Sequence, residues 1–131
     1  MLHHVGSTSV PGLAAKPKID IMAVVLDLFF KESQLEAIGY RYRGGFNIPL
    51  RRYFTIRAEE RSINLHVFEE NDPEIELNIL FRDHLCRSSS AIEENTRCLN
   101  IDSLQKTLLI RKTTLFIEVI LWVKMILFKM Y

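Results

Sequence analysis

One segment constrains the fold more than any other. Residues 18–28, with the sequence KIDIMAVVLDL, are mostly aliphatic or β-branched, and their polar members lie near the ends. Such a run is typical of a strand that is covered on both faces, which requires a sheet with helices packed on it. Asp20 is the exception inside the run. A lone buried carboxylate is costly unless it binds a metal, pairs with a cation or accepts hydrogen bonds.

The segments that follow predict further strands and a helix. Residues 31–38 have a helix-forming composition, and Gly39 fits the position just after a helix end. Three short strands are predicted at residues 40–43, 52–57 and 62–68. The last one alternates strictly, with Ile63, Leu65 and Val67 on one face and Asn64, His66 and Phe68 on the other.

Beyond Asn71 the apolar residues take the spacing of a helix. Asp72 and Pro73 suit the cap and the first turn. The apolar face of this helix is predicted to consist of Leu77, Leu80, Phe81, His84 and Leu85. A second helix is predicted from Ser90, in a capping box with Glu93, to about residue 99. This order of elements predicts an α/β or α+β domain with a mixed sheet flanked by helices.

Length and charge limit the kinds of partner. The chain has 131 residues, enough for one compact domain and too few for two ordinary ones. Its 17 Lys and Arg nearly balance 16 Asp and Glu, so no overall field attracts nucleic acid or an anionic membrane, and anion binding has to be local. Cys86 and Cys98 form neither a metal motif nor a disulfide framework, so a reduced, cytoplasmic protein is expected.

The start of the chain has the composition of an anion-binding turn. Residues 4–13 read HVGSTSVPGL, in which small residues let backbone N–H groups approach an anion and three hydroxyls add donors. Asp20 follows about twelve residues later. Nucleotidyltransferase folds use this order to place a triphosphate beside a metal ion. The alternative is a tight turn followed by a core strand whose aspartate is paired for structural reasons.

Arginines form the second candidate cluster. Arg51 and Arg52 are adjacent, and Arg41, Arg43, Arg57 and Arg61 lie within about ten residues of them. Guanidinium groups suit phosphate geometry. For all except Arg51 and Arg52 we favour surface pairing with the acidic residues of segment 69–76. His66 has three interpretations: a metal ligand, a proton carrier or a buried histidine with satisfied hydrogen bonds, of which the last is commonest.

Several of these phrases together resemble the GrpB family (UPF0157). The phrases are residues 4–17 (HVGSTSVPGLAAKP), 19–21 (IDI), 39–44 (GYRYRG), 51–54 (RRYF), 65–67 (LHV) and 80–85 (LFRDHL), in the family's order. The resemblance implies a nucleotidyltransferase-like fold. Some members are fused to dephospho-CoA kinase, which suggests nucleotide or coenzyme chemistry. The implied ligand is a nucleotide or another small phosphorylated metabolite.

The resemblance also implies a set of site residues. Gly6 and Ser7 form the phosphate-side turn, and Ser9 and Lys16 belong to the same motif. Asp20 becomes the ligand of a Mg²⁺ ion. The implied catalytic pair is Asp20 with His66. The residues that line the cleft with them are Arg51, Arg52 and Arg82.

The chain departs from the family in three ways, one of which is that Gly45 and Leu50 stand where the family commonly has an acidic residue and a glycine around its Ile-Pro turn. A complete transferase carries a second carboxylate two residues after Asp20, where this chain has Met22, so a two-metal mechanism lacks a ligand. Family members also usually begin with an additional segment, so an incomplete version of the fold is expected. Two alternatives to an enzyme follow: a non-catalytic binding module, and a truncated gene product without function.

The end of the chain differs from the rest. The family-like domain is assigned to residues 1–100, and residues 101–131 form a divergent tail in which 115–131 are nearly all apolar. Glu118, Lys124 and Lys129 interrupt this run and count against a membrane anchor, which leaves a buried element or an oligomer contact. A frameshift is a further hypothesis, because one-base-shifted codons restore a family-like closing segment. The nucleotide sequence between about codons 95 and 117 tests it.

Overall fold

The computed structural model describes residues 1–13, 15–30, 32–57, 62–88 and 90–93. Within these residues the chain forms strands that we number β1 to β5 and two main helices, α1 and α2. In chain order they are β1 (Leu2–Val5), β2 (Lys18–Val25), α1 (Glu32–Glu36), β3 (Arg41–Tyr42), β4 (Arg52–Arg57), β5 (Ser62–Glu69) and α2 (Pro73–Arg87). A 3₁₀ turn, Ser7–Ser9, connects β1 to β2.

The strands form a single mixed sheet in the order β1-β2-β5-β4-β3. Strands β2 and β5 are parallel, and the other neighbours are antiparallel. Strand β2 therefore lies between two other strands, β1 and β5, in the interior of the sheet. Ile21 and Met22 point to opposite faces, and both are fully buried. The predicted α+β fold with a mixed sheet is confirmed.

The two faces of the sheet have different chemistry. One face packs its aliphatic side chains against Leu35 of α1 and against Tyr40 and Phe54. The other face, which we call the polar face, carries Asp20 on β2 and Asn64 and His66 on β5. Helix α2 covers only part of the polar face, where its isoleucines pack on Met22 and Phe68. The rest of the polar face remains open to a ligand.

Of the predicted apolar face of α2, Leu85 is buried as expected, and the other four members are exposed. The side chains that contact the domain are Ile75, Ile79 and Leu85, whereas Leu77, Leu80 and Phe81 are 55–60% exposed. Ile75 and Ile79 are one turn apart, almost opposite the predicted stripe. Asp72 caps the helix directly after β5, and this connection turns the isoleucines towards the sheet. Because α2 has aliphatic residues on both sides, periodicity alone selected the wrong one.

The segment after α2 begins a new helix, as predicted, but with a different cap. Residues 90–93 are helical, and the Ser88 hydroxyl, instead of Ser90, accepts the Ala91 N–H at 3.2 Å. The predicted end of this helix, and the tail 101–131 with its frameshift and anchor hypotheses, lie outside the described residues. In the described ranges no helix has both the length and the apolar character needed to cross a bilayer.

Candidate functional site

The site is centred on the contact between the Gly6 turn and Asp20. Val5, the last residue of β1, pairs with Asp20 in the sheet, so the chain turns directly above the carboxylate. Gly6 adopts φ 72° and ψ −177°, a conformation that is essentially restricted to glycine. A Cβ atom on Gly6 would lie 2.8 Å from Asp20 Oδ2. The glycine therefore serves two purposes: it permits the turn and leaves room for the carboxylate.

Asp20 is held by hydrogen bonds from the neighbouring strand. Its Oδ1 accepts Asn64 Nδ2–H at 2.6 Å and lies 3.3 Å from His66 Nε2. The Tyr53 hydroxyl in turn donates to Asn64 Oδ1 at 2.9 Å. These contacts explain how a carboxylate is tolerated on a central strand, since buried charge requires paired donors. Asp20 Oδ2 faces the Gly6 turn.

Arg51 links the loop at residues 45–46 to His66. Its Nε donates to the Gly45 carbonyl at 3.1 Å and its Nη2 to the Phe46 carbonyl at 2.9 Å. Its Nη1 lies 3.4 Å from His66 Nδ1. The tautomer with the ring proton on Nε2 satisfies both contacts, since the guanidinium can only donate to Nδ1 and a carboxylate accepts from Nε2. In that tautomer His66 donates to Asp20.

Aromatic stacking and burial complete this cluster. The Tyr53 ring stacks on His66 with centroids 5.0 Å apart, and the Arg51 guanidinium lies 5.2 Å from the Tyr53 ring centroid. Burial lowers the pKa of Arg51 from its ordinary value. Burial also raises the pKa of Tyr53, and the negative charge of Asp20 adds to this effect. Tyr53 is therefore held in its neutral, hydrogen-donating form.

Other residues predicted for the site lie elsewhere or have another role. Arg52 lies on the opposite face, because alternate residues of β4 point to opposite sides; it pairs with Glu32 and stacks over Phe30. Arg82 ties α2 to the edge strand by donating to the His4 carbonyl at 3.1 Å. It also pairs with Asp83.

The predicted residues of the N-terminal motif also have different positions and roles. Ser7 begins the 3₁₀ turn beside Gly6. The Ser9 hydroxyl donates back to the Gly6 carbonyl at 2.5 Å and so closes the turn. Lys16 is exposed just before β2. Of this motif, Gly6 lies against Asp20, Ser7 follows it in the turn, and Ser9 stabilises the turn.

Asn64 and Tyr53 contribute to the cluster, and sequence reasoning did not select them. The signal was available for Asn64, because the alternation of β5 places it beside His66 on the polar face. Tyr53 was harder to identify from the sequence, because only the register of β4 with β5 places it opposite His66. Register depends on long-range pairing and is not visible in one strand.

The remaining arginines do not pair as predicted. In the described ranges, the ion pairs are Arg52–Glu32, Arg82–Asp83 and the short-range contact of His66 with Asp20. The acidic segment 69–76 therefore provides no described partner for Arg41, Arg43 or Arg57. The reason is geometric, because these three side chains line a recess on the polar face. Arg61 lies outside the described residues.

The donor set limits the metal chemistry of the site. Across the described segments, no three His, Cys, Asp or Glu side chains lie close enough to hold a metal ion. Met22, at the position of a second carboxylate, is fully buried against Val5 and Phe68. A two-metal arrangement does not fit these residues. A single Mg²⁺ fits Asp20 only if phosphate oxygens and water supply the other ligands.

Comparison with known proteins identifies the family. The family model described as GrpB protein matches residues 1–98. The chain belongs to the GrpB family. A crystal structure of the conserved protein GrpB from Enterococcus faecalis superimposes with a TM-score of 0.65 at 30% identity, and the alignment covers 98% of this chain and 81% of that one. The α+β architecture of this GrpB domain is thus shared with a solved relative.

Sequence relatives agree with this assignment. The UPF0157 protein YqkA of Bacillus subtilis is 40% identical over 87 residues, which are 64% of this chain and 25% of YqkA. A UPF0157 protein of Streptomyces coelicolor is 36% identical over 100 residues, 73% of this chain and 52% of that protein. One from Halalkalibacterium halodurans is 41% identical over 95 residues, 68% of this chain and 47% of the relative. The GrpB chain therefore spans about half or less of these relatives.

Proposed function

We propose that this GrpB domain binds a nucleotide or another small phosphorylated metabolite on the polar face of its sheet. The observation that supports this most directly is the juxtaposition of the Gly6 turn, Asp20 and the Arg51–His66 pair on one open surface. An N–H-rich turn and a guanidinium are both typical phosphate partners. The single carboxylate between them, Asp20, suits a phosphorylated ligand that binds as its Mg²⁺ complex.

Each residue has a separate role in this proposal. The turn at Gly6 and Ser7 offers main-chain N–H groups, because the first N–H groups of a helical turn have no partner within it. Arg51 supplies positive charge from a position fixed by two carbonyl groups. Asp20 would hold one Mg²⁺ together with phosphate oxygens, and the ion would neutralise phosphate charge. His66 orients Asp20 through its Nε2–H.

The residues of the site favour ligand binding and not nucleotidyl transfer by a two-metal mechanism. Nucleotidyl transfer of the two-metal type needs carboxylates that bridge both ions. Met22 occupies the relevant position, and its 0% exposure places an apolar side chain within the core there. The domain therefore lacks the second ligand while keeping the turn, Asp20 and Arg51. A binding module is the simplest function consistent with that set.

The experiment is a calorimetric titration of the full chain with ATP and with CTP, with and without MgCl₂. We expect binding that Mg²⁺ strengthens. Asp20→Asn should remove the Mg²⁺ dependence, because the amide keeps the acceptor for Asn64 and loses the charge. Glu36→Gln, an exposed change on α1 at the opposite face, is the matched control. A folded protein that binds neither nucleotide at millimolar concentration contradicts the proposal.

A further inference from the structure

The polar face continues beyond Asp20 as a set of regular cross-strand rows. Sheet register places Asp20, Asn64, Thr55 and Arg41 in one row across four strands. The next row, two residues along, contains Lys18, Ser62 and Arg57. Same-face neighbours along a strand are about 7 Å apart. The two rows are therefore adjacent, and the second extends away from the end that α2 covers.

These rows form a recess of about 620 Å³. We call it the basic recess and define it by its cationic side chains, Lys18, Arg41, Arg43 and Arg57. Asn64 also lines it and donates to Asp20, so the basic recess and the candidate site share a residue. The volume lies within the range of small-molecule sites.

The charge of the basic recess is uncompensated among the residues that the structure describes. Among the described residues, its lining contains four cations and no carboxylate, and none of the described ion pairs involves those cations. Like charges in a shared concavity repel one another, and an anion bound between them removes that repulsion. The chain as a whole is nearly neutral, with a formal charge of +1. This concentration of charge is thus a local feature.

The polar groups of the basic recess suit phosphate. Arg43 Nε donates to the Thr55 hydroxyl at 3.1 Å, which orients its guanidinium along the recess. Ser62 adds a second hydroxyl. Guanidinium groups bind phosphate oxygens through two parallel N–H donors, and hydroxyls add further hydrogen bonds.

We infer that the basic recess binds the di- or triphosphate group of the ligand, next to the Asp20 cluster. This inference rests on the proposed function, because it assigns one part of the same ligand to a second set of residues. It also narrows the ligand class to molecules with at least two linked phosphates. A ligand with a single phosphate engages the Gly6 turn or the recess, but not both.

The test is a titration of the full chain with inorganic tripolyphosphate in the absence of Mg²⁺. We expect Arg41→Gln and Arg57→Gln each to weaken binding about tenfold, the usual loss for one charge-assisted contact. Both side chains are exposed, so the changes leave the core intact. Arg87→Gln, an exposed change on α2 with the same loss of charge, is the matched control and should bind like the original chain.

Two outcomes overturn the inference. One is absence of tripolyphosphate binding by the original chain. The other is equal affinity in Arg41→Gln, Arg57→Gln and Arg87→Gln, since the recess would then make no contact. Repeating the titrations with ATP separates this inference from the proposed function. If ATP binds and the recess variants do not weaken it, only the inference fails. If tripolyphosphate binds through the recess and neither ATP nor CTP binds, the proposed function fails.

Discussion

Substitution of Gly6 by alanine should destabilise the domain strongly, although the change adds one methyl group. At φ 72° and ψ −177° an alanine backbone costs about 1–3 kcal/mol. The new Cβ would also lie 2.8 Å from Asp20 Oδ2, and relieving such a contact costs about 1–3 kcal/mol. We therefore expect the free energy of unfolding to fall by about 3 kcal/mol, a large part of the stability of a small domain.

Urea denaturation followed by circular dichroism measures this loss. With a slope of about 1.5 kcal/mol per molar urea, the midpoint should fall by about 2 M. Gly12→Ala is the matched control, because Gly12 also has a positive φ, 80°, but nothing lies within 4 Å of its Cβ position. The control carries the backbone cost alone. A larger loss in Gly6→Ala than in Gly12→Ala is expected from the contact with Asp20 together with the glycine-specific ψ of Gly6.

A double substitution tests the cause directly. In an Asp20→Ala background the carboxylate is absent, so Gly6→Ala should cost about 1–2 kcal/mol less than in the original chain. If Gly6→Ala is no more destabilising than Gly12→Ala, or if its cost does not depend on Asp20, the turn does not abut the carboxylate. The geometry on which the proposed site depends would then be refuted.

Three further changes have distinct expected outcomes. Burial raises the pKa of Tyr40 to about 12, so the unfolded chain loses this proton first as the pH rises. The free energy of unfolding should therefore fall by about 2 kcal/mol between about pH 10 and 12. Tyr40→Phe, measured by urea denaturation across that range, should lack this part of the fall. Asn64→Leu removes a donor to Asp20 and should lower the free energy of unfolding by about 1–3 kcal/mol, and a neutral result in urea melts would contradict the network. Arg51→Gln should weaken ATP binding about tenfold in calorimetry, whereas Arg52→Gln, on the opposite face, should leave it within about twofold; the reverse order would contradict the placement of the two side chains.

Local pattern was sufficient for much of the fold. The apolar run of β2 predicted a strand buried on both faces, and Met22 and Ile21 are both fully buried. The alternation of β5 predicted which residues share a face, because side chains alternate in any strand. Both predictions use only the sequence of a single strand, so they required no information about the neighbouring elements.

Predictions that depend on neighbours were less successful. The face of α2 that packs is decided by Met22 and Phe68 on the sheet, and the helix sequence offers aliphatic residues on both sides. The surroundings of Arg41 follow from strand register, which brings it beside Thr55 and not beside the acidic segment. Adjacency in sequence was misleading for Arg51 and Arg52, because Arg51 contacts His66 on the polar face whereas Arg52, the first residue of β4, pairs with Glu32 on the opposite face.

The parallel pairing of β2 with β5 has a kinetic consequence. Asp20 and Asn64 are 44 residues apart in the chain, and the hydrogen bond between them forms only when the ends of this long loop meet. Contacts of such high sequence separation are slow to form because loop-closure entropy is lost first. A chain in which β2 and β5 are unpaired therefore lacks the Asp20–Asn64 part of the site, and a ligand that contacts this part favours the folded domain. By mass action such a ligand raises the melting temperature of the whole domain. A thermal-shift assay therefore reports which candidate ligands bind the folded domain.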